Sequence, residues 1–207
     1  METFERLAEI FKTFPGIGPR QAKRFVYHLI QKDASYIKEL EGLIKNLKAS
    51  FQFCLSCQRI FPRDKEKTIC SICANLKRDR KTLMIVPKDA DLEIIEKSGS
   101  FKGNYFVLGG TIPILDQDPE KRIRGKALRS AVEKRAKEGL SEIILAMNAT
   151  PEGENTAHFL ISFISPITNK FGVKISYLGR GLSTGSELEY SDAETLKNAL
   201  KNRSSYS

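Results

Sequence analysis

The amino-acid sequence predicts an α/β fold for the largest domain. Because several small domains follow one another, the chain as a whole is a multi-domain α+β protein. We expect two N-terminal helices joined by a glycine hairpin, a small four-cysteine segment, a parallel α/β domain and a C-terminal helical extension. Three observations predict this organisation. Apolar residues recur at helical spacings along the first 50 residues. All four cysteines fall within residues 54 to 73. From residue 82 onward, short apolar runs alternate with helical patterns.

The composition indicates a folded protein that attracts anions. Of the 207 residues, 41% are hydrophobic and 29% are charged, which favours a packed core and excludes disordered and collagen-like classes. No apolar run approaches the ~18 residues of a membrane-spanning helix, and the N-terminus mixes charges, so we expect a cytoplasmic protein without a membrane partner. The formal net charge is +9. Residues 1 to 80 hold 16 basic and 9 acidic side chains, so most of the basic excess lies there.

The first 50 residues predict three helices. Residues 2 to 14 carry an apolar stripe at spacings of three and four, and the run Pro15-Gly16-Ile17-Gly18-Pro19 ends it. A second amphipathic helix follows this turn, up to about residue 30. A third helix is expected over roughly 35 to 50, and four of its apolar side chains are expected to face inward: Ile37, Leu40, Ile44 and Leu47.

The cysteines form the strongest single motif. Cys54-x-x-Cys57 and Cys70-x-x-Cys73 are separated by twelve residues, in a segment with few apolar side chains to hold it together. Four thiolates satisfy the tetrahedral preference of Zn²⁺ and leave no position open for water, so we expect one structural zinc ion per chain. Two disulfides or four unrelated thiols are the alternative, although the cytosolic location that we expect disfavours disulfides, and iron is the alternative metal.

The glycine hairpin predicts a phosphate-binding site. Gly16 and Gly18 allow a tight turn, and the helix that begins after them offers free N–H groups to an anion. Arg20, Lys23 and Arg24 then flank the phosphate. Such contacts do not read base edges, so binding to DNA would be independent of sequence and sensitive to salt. An ordinary turn between two helices, with a solvated basic face, is the alternative; the regional charge favours DNA.

The second half of the chain predicts a parallel α/β domain. Four apolar runs indicate buried strands, at residues 83–86, 105–108, 143–147 and 173–177. The stretches between them, roughly 90–98, 120–138 and 154–171, are long enough for crossover helices. Pro166 is expected to kink or split the last of these helices. A short helix over about 191–202 closes the chain.

The carboxyl ends of the strands offer a third candidate site. Glu152 and Glu154 follow the third strand, where they either hold Mg²⁺ for phosphoryl chemistry or favour the start of the next helix through its dipole, and we favour the second. The glycine- and serine-rich residues 179 to 186 lack the Gly-Lys-Ser/Thr ending of a nucleotide-binding P-loop. The sequence therefore provides little support for nucleotide binding.

The order of these motifs resembles the bacterial RecR family of recombination mediators over essentially the full length. Beside the cysteine set, the resemblance rests on these runs: Phe14-Pro-Gly-Ile-Gly-Pro-Arg20, Val107-Leu108-Gly109-Gly110, Asn148-x-Thr150-x-Glu152-Gly153-Glu154-x-Thr156-Ala157, Arg180-Gly181-Leu182 and Glu187-Leu188-Glu189-Tyr190. Many motifs in one order make the resemblance specific.

The resemblance implies a domain organisation and a role. It implies a helix-hairpin-helix DNA-binding domain over 1–52, a four-cysteine zinc finger over 53–77, a Toprim domain over 78–177 and a C-terminal extension over 178–207. It also implies work with RecO and RecF in loading the RecA recombinase at gapped or single-stranded DNA, and a homo-oligomer in the form of a tetrameric ring. The family's DNA-contacting basic residues fall on Arg20 and Arg24.

The chain departs from the Toprim pattern at its acidic positions. The resemblance implies acidic residues at the end of the first Toprim strand, where this chain has Ile85 and Val86 before Pro87-Lys88-Asp89. Catalytic Toprim enzymes also carry Asp-x-Asp on a later strand, where this chain has Asn148 and Thr150. A cation site without these carboxylates stabilises a transferring phosphoryl group poorly. Nearby acidic side chains are possible substitutes: Asp89, Asp91 and Glu93.

Three hypotheses from different classes follow. The leading one is a non-catalytic DNA-binding mediator in recombinational DNA repair. The second is an enzyme, a Mg²⁺-dependent nuclease or primase-like Toprim protein that uses Glu152 and Glu154. The third is a structural adaptor whose basic face binds an acidic protein, which predicts no salt-sensitive binding to DNA.

Overall fold

The computed structural model describes residues 2–182, 185 and 187–203. The chain divides into two compact units, Met1–Gln52 and Phe53–Ser207. Each unit is described by itself below.

The first unit is helical. It contains α1 (Glu2–Lys12), α2 (Pro19–Ile30) and α3 (Ala34–Ser50), as the apolar spacing predicted. Helices α1 and α2 pack together around the buried Ala8, Ala22 and Val26. The Phe11 and Phe25 rings add an edge-to-face contact at 5.7 Å between centroids. The hairpin between α1 and α2 is therefore held by a small apolar core.

Helix α3 corrects one sequence prediction. Its N-terminus is capped by Asp33, which accepts a hydrogen bond from the Tyr36 N–H at 2.8 Å. No residue of α3 is buried, and Ile44 and Leu47 are 64% and 58% exposed. The prediction that these side chains face inward is therefore wrong for Ile37, Ile44 and Leu47, while Leu40 is half-buried. The helix has the apolar stripe, but no surface within the described part of the first unit buries it.

The second unit begins with the four-cysteine segment and continues into a parallel sheet. Strands β1 (Phe51–Phe53) and β2 (Ile60–Pro62) form a two-stranded sheet, and the short helix α4 (Ser71–Ala74) follows. The main sheet has the order β4-β3-β5-β6, with all neighbours parallel. Its strands are β3 (Thr82–Val86), β4 (Asn104–Val107), β5 (Glu142–Leu145) and β6 (Lys174–Tyr177). The predicted α/β fold class is confirmed.

The remaining helices lie between and after the strands of the main sheet. They are α5 (Asp89–Ser98), α6 (Pro119–Arg122), α7 (Gly125–Lys137), α8 (Pro151–Phe171), a 3-10 turn (Leu188–Tyr190) and α9 (Ala193–Lys201). Helix α9 confirms the predicted C-terminal helix. In the part of the chain that the structure describes, no helix is both long and apolar enough to span a membrane.

The main sheet is buried on both faces by different partners. Leu83 and Ile85 of β3 belong to a core that includes α7 and α8, whereas Met84 and Val86 belong to a second core. This alternation follows from the two-residue period of a strand. The second core includes Leu92 of α5 and Tyr105 and Val107 of β4, together with three of the four cysteines. The four-cysteine segment therefore covers one face of the sheet.

Helix α8 runs without a break through Pro166, so the predicted split is absent. Proline has no N–H, so it leaves the carbonyl of Ser162, four residues earlier, without its usual helical donor. The Ser165 hydroxyl donates to that carbonyl at 3.0 Å. A side-chain donor thus replaces the missing backbone donor.

Thr156 on α8 generates a prediction about stability. Its side chain is buried, and its hydroxyl accepts from the Ile112 N–H at 2.8 Å and donates to the Glu152 carbonyl at 2.7 Å. Thr156→Val keeps the shape but leaves a buried N–H unsatisfied, so we expect a loss of about 1–3 kcal/mol in the free energy of unfolding. Urea denaturation measures it. Ser162→Ala, which removes an exposed hydroxyl of the same helix, should change stability by less than about 0.5 kcal/mol.

Candidate metal centre and nucleic-acid interface

The four cysteines converge on one point. Their sulfur atoms all lie within 4.8 Å of one another, and the Sγ atoms of Cys57 and Cys70 are 3.6 Å apart. Three of the thiols are buried and Cys73 is half-buried. The Cys70 N–H donates to the Cys54 sulfur at 3.3 Å, a contact that favours a thiolate. Four sulfur donors within this distance match the ligand set of a tetrahedral structural site.

The protonation of the cluster also fits a cation. Hydrogen bonds from the other three thiols, Cys57 first, lower the pKa of Cys54 from its ordinary value of 9.0. The contact with Cys54 is in turn the main cause that raises the pKa of Cys57. Four thiols at this distance, three of them buried, cannot all ionise without a positive charge among them, because each thiolate disfavours the next. A divalent metal ion supplies that charge, and these residues are therefore positioned to hold one.

Each Cys-x-x-Cys turn is called a knuckle here. The geometry of the first knuckle, which carries Cys54 and Cys57, depends on Gln58. This residue has a positive φ of 62°, the one non-glycine residue with positive φ among those the structure describes. Its N–H donates to the Cys54 carbonyl at 2.9 Å, so the chain turns tightly between Cys54 and the strand β2. The Cys57 carbonyl accepts from the Val107 N–H at 2.8 Å. The turn that presents two sulfurs is thereby hydrogen-bonded to the edge strand β4.

Arg124 joins the same turn to the sheet, and sequence reasoning did not identify it. Its Nη1 donates to the Gln58 carbonyl at 2.6 Å and to the Val107 carbonyl at 3.0 Å, and the guanidinium lies 4.7 Å from the Phe53 ring centroid. Burial lowers the pKa of Arg124, and the Asp89 carboxylate opposes that effect. No sequence motif marks this arginine, because its partners are backbone carbonyls distant in sequence.

Arg78 and Glu96 form a second link that the sequence did not reveal. Two hydrogen bonds, 2.6 and 3.0 Å long, join the guanidinium to both carboxylate oxygens. The Arg78 Nε also donates to the Gly103 carbonyl at 2.7 Å. The side chains are only 10% and 33% exposed, so this pair is more shielded from solvent than a surface ion pair. It holds the end of the four-cysteine segment against α5 and the start of β4.

The glycine hairpin has the predicted turn at one of its two glycines. Gly16 has a φ of +77°, a conformation that favours glycine, and a Cβ there would meet no atom within 4 Å. Gly18 is the N-cap of α2 with an ordinary extended backbone, φ −84° and ψ 170°. Pro19 follows at the first helical position. Gly16 is thus required by the turn, whereas Gly18 leaves the helix N-terminus free of a side chain.

The three predicted basic residues share one exposed face of α2. Arg20, Lys23 and Arg24 are spaced three and four residues apart and are all exposed, opposite the buried Ala22 and Val26. Lys23 Nζ lies 3.9 Å from a Glu5 carboxylate oxygen on α1. The structure therefore brings the predicted residues together at the start of the helix, and part of the Lys23 charge is offset by Glu5.

Strand β3 ends on two buried apolar side chains, where the resemblance implied acidic residues. Ile85 and Val86 are fully buried, each in a different core. Asp89 accepts from the Ile60 N–H at 2.7 Å, and Asp91 accepts from the Lys88 N–H at 3.0 Å at the start of α5. These two aspartates are thus engaged in structural hydrogen bonds, while Glu93 is exposed on α5.

The start of α8 has an uncharged cap. The Thr150 hydroxyl accepts from the Gly153 N–H at 3.1 Å, whereas Glu152 and Glu154 occupy the exposed first turn, where the helix dipole favours them. Glu154 accepts from the Arg180 Nη1 at 2.6 Å. Glu154 is thus paired with a cation of the chain. Of the loop 179–186, residues 183, 184 and 186 lie outside the described residues.

Comparison with known proteins identifies the family. Three family profiles match the chain: "RecR, helix-hairpin-helix" over residues 4–48, "Toprim domain" over 81–179 and "RecR, C-terminal" over 181–204. A Jannaschia sp. protein named "Recombination protein RecR" is 36% identical over 97% of this chain and 96% of its own length. This chain belongs to the RecR family. The resemblance inferred from the motifs is confirmed.

Two further RecR proteins match over similar lengths. The one from Legionella pneumophila is 34% identical over 98% of this chain and 96% of its own length. The one from Cereibacter sphaeroides is 35% identical over 96% of this chain and 94% of its own length. All three relatives are named recombination proteins, and the metal centre and the basic hairpin are interpreted in that context.

The Arg78–Glu96 pair predicts a pH dependence of stability. Burial is the largest single influence and raises the pKa of Glu96, but the hydrogen bonding and charge of Arg78, with further lowering contributions from Tyr105 and Arg59, together hold the pKa below its ordinary value of 4.5. The pair therefore stabilises the fold fully above pH ~4.5, and this contribution is lost as the pH falls through the lower, folded-state pKa. We expect Glu96→Gln to cost about 1–3 kcal/mol at neutral pH.

Urea denaturation of both proteins across a pH series checks this prediction. The difference between the wild type and Glu96→Gln should shrink at acid pH, because both then carry an uncharged side chain. Glu93→Gln, an exposed change on the same helix, should show a difference within about 0.5 kcal/mol throughout. A gap that stays constant down to strongly acid pH would contradict the proposed pair.

Proposed function

We propose that this chain is a non-catalytic DNA-binding recombination mediator in recombinational DNA repair. It acts with RecO- and RecF-type proteins in the cytoplasm to promote the loading of RecA on gapped or single-stranded DNA. The observation that supports DNA binding most directly is the exposed basic face of α2 beside the glycine turn. Membership of the RecR family supports the repair role.

The hairpin has the parts that a phosphate contact requires. The N-terminus of α2 presents backbone N–H groups, its N-cap is a glycine without a side chain, and no acidic residue lies in its first turn. Arg20 and Arg24 add two guanidinium groups, and each guanidinium can donate two parallel hydrogen bonds to one phosphate. The site offers no group that is committed to a base edge, so the proposed binding is independent of DNA sequence.

Removal of the two arginines tests the DNA proposal. We expect Arg20→Ala combined with Arg24→Ala to weaken binding to labelled single-stranded DNA and to lower the slope of log K against log salt by about 1.4, because two phosphate contacts are lost. Fluorescence anisotropy across a salt series measures both quantities. The control is Lys38→Ala combined with Lys45→Ala, which removes the same charge from exposed positions of α3.

Equal losses in the two double variants would mean that net charge alone governs binding. If the wild type shows no salt-sensitive binding to DNA, the adaptor hypothesis replaces this proposal.

We propose that the metal at the four cysteines is Zn²⁺, one per chain, with a structural role. The support is the donor set, which consists of four mostly buried sulfur atoms on two CxxC knuckles. Four sulfur ligands complete the tetrahedral coordination that structural zinc sites have. Zinc supplies the positive charge that keeps four thiolates together and takes no part in redox chemistry.

Cys57→Ser tests this assignment. We expect the variant to lose most of its bound zinc and to be destabilised by more than about 3 kcal/mol, because the knuckle belongs to a core of the second unit. Elemental analysis by plasma mass spectrometry and thermal unfolding are the measurements. Ser71→Ala, an exposed neighbour of Cys70, serves as the matched control and should retain zinc. Full zinc content in the Cys57 variant would refute the assignment.

The domain division proposed from the sequence is 1–52, 53–77, 78–177 and 178–207. A homo-oligomer, specifically a tetrameric ring, is also part of the proposal. The exposed apolar side chains of α3 support self-association, because a helix with an uncovered apolar face gains stability when another surface buries it.

Two observations favour the non-catalytic role over a Mg²⁺-dependent nuclease or primase-like enzyme. Ile85 and Val86 fill the strand end with buried apolar side chains, and Glu154 is bound to Arg180. We expect no turnover when the purified protein is incubated with DNA, Mg²⁺ and nucleotides, as read by gel electrophoresis. Turnover that Glu152→Gln abolishes would instead assign an enzyme.

A further inference from the structure

The four-cysteine segment carries more positive charge for its length than the hairpin unit. Residues 53 to 80 hold seven basic and three acidic side chains, a net charge of +4 within 28 residues. Residues 1 to 52 hold nine basic and six acidic side chains, a net charge of +3. Arg78 is bound to Glu96, but a structural metal site does not need the other six basic side chains, so these call for a second explanation.

Several of these charges line one cleft beside Cys70. The cleft has a volume of about 580 Å³, and three cations and one anion line it: Arg59, Arg63, Lys67 and Asp64. Lys67 Nζ and an Asp64 carboxylate oxygen form an exposed ion pair at 2.8 Å. The lining carries a net charge of +2, and the Ser71 side chain adds a hydroxyl. The cleft is thus chemically suited to an anion with several oxygen atoms.

Arg59 is the most informative residue of the cleft. Its Nε is buried and finds no hydrogen-bond acceptor among the described residues. The positive charge of Arg59 helps to lower the pKa of Glu96, but both carboxylate oxygens of Glu96 already accept hydrogen bonds from Arg78. A buried donor without an acceptor costs free energy. A bound anion that draws this guanidinium into the cleft relieves that cost.

The backbone around Arg59 is held in place before any ligand arrives. The Arg59 carbonyl accepts from the Cys54 N–H at 2.9 Å, and the Ile60 N–H donates to Asp89 at 2.7 Å. Cys70, a residue of the metal cluster, lies in the wall of the same cleft. A preorganised wall reduces the entropy lost on binding. This is a property of a binding site rather than of a mobile charged loop.

We propose that the cleft lined by Arg59, Arg63 and Ser71 binds a backbone phosphate of a nucleic acid, as a second contact separate from the α2 hairpin. This inference rests on the proposed DNA-binding function. Guanidinium groups match phosphate geometry, and the cleft lacks a glycine-rich cradle of the kind that encloses nucleotide phosphates. The ligand class is therefore a phosphodiester, with free phosphate and nucleotides as the competing sources of the same chemistry.

Arg59→Gln combined with Arg63→Gln tests the cleft. We expect the association constant for labelled single-stranded DNA to fall about tenfold and the salt slope to fall by about 0.7 to 1.4, since one or two phosphate contacts are lost. Lys65→Gln combined with Lys77→Gln removes two exposed charges of the same segment outside the cleft. This control should change binding less than about twofold. Equal losses in both pairs, or no loss in the first, would overturn the proposal.

The same assay separates the cleft from the hairpin. Loss with the Arg59/Arg63 pair but not with the Arg20/Arg24 pair supports the cleft and refutes the hairpin assignment. The opposite result refutes the cleft and leaves the hairpin standing. Inorganic phosphate and ATP are added as competitors, and displacement of DNA by sub-millimolar ATP would overturn the phosphodiester assignment. Melting temperature and zinc content establish that each variant is folded.

Photocrosslinking gives a second route in case the Arg59 change prevents folding. Benzoylphenylalanine is placed at Ser71 in the cleft, and at the exposed Ser98 of α5 as the control. We expect crosslinks to DNA from position 71 well above those from position 98, and Arg63→Gln alone should reduce them. Equal crosslinking from both positions would overturn the proposal.

Discussion

The packing of one face of the main sheet in the second unit depends on the cluster of four cysteine sulfur atoms. Three of the four cysteines belong to the same core as Met84 and Val86 of β3, so the metal centre is part of the domain's interior. Buried thiols this close together need a cation to ionise together. The four-cysteine segment, held together by the metal ion that we propose, covers this face of the sheet as α7 and α8 cover the other face. A segment with too few apolar residues for a core of its own thus covers a sheet face.

This constraint explains the contacts around the knuckle. Arg124, Asp89 and the Val107 N–H all bind backbone groups between Cys57 and Ile60. Each contact fixes the turn that presents the sulfurs. The Asp89 carboxylate, an acidic group shortly after the end of β3, is thus engaged in holding this turn.

The basic side chains at the two proposed DNA contacts lie at the surface of elements that the core holds in place. Those of α2 stand on the exposed side of a helix whose other side packs on α1, and those near Arg59 stand around a cleft whose wall includes Cys70. In both places the basic side chains outnumber the acidic ones, although Lys23 and Lys67 each lie near a carboxylate of the chain. Two weak phosphate contacts on one chain would add to each other through the effective concentration that the chain itself imposes.

Local patterns in the sequence determined much of this protein. Helical spacing located α1 to α3, apolar runs located the four strands, and the CxxC pairs located the metal ligands, because each depends on near neighbours along the chain. Contacts distant in sequence decided the rest. The burial of the α3 stripe needs a surface that the described part of the first unit does not provide, and at Pro166 of the continuous helix α8 the Ser165 hydroxyl donates to the carbonyl that the proline leaves without a backbone donor.

The contacts of Arg124 and Arg78, and the burial of the Arg59 Nε, were likewise set only by tertiary structure. An arginine has the same appearance in a sequence whether it binds a distant carbonyl, a buried carboxylate or an anion, since its long side chain takes its role from whatever the fold brings near.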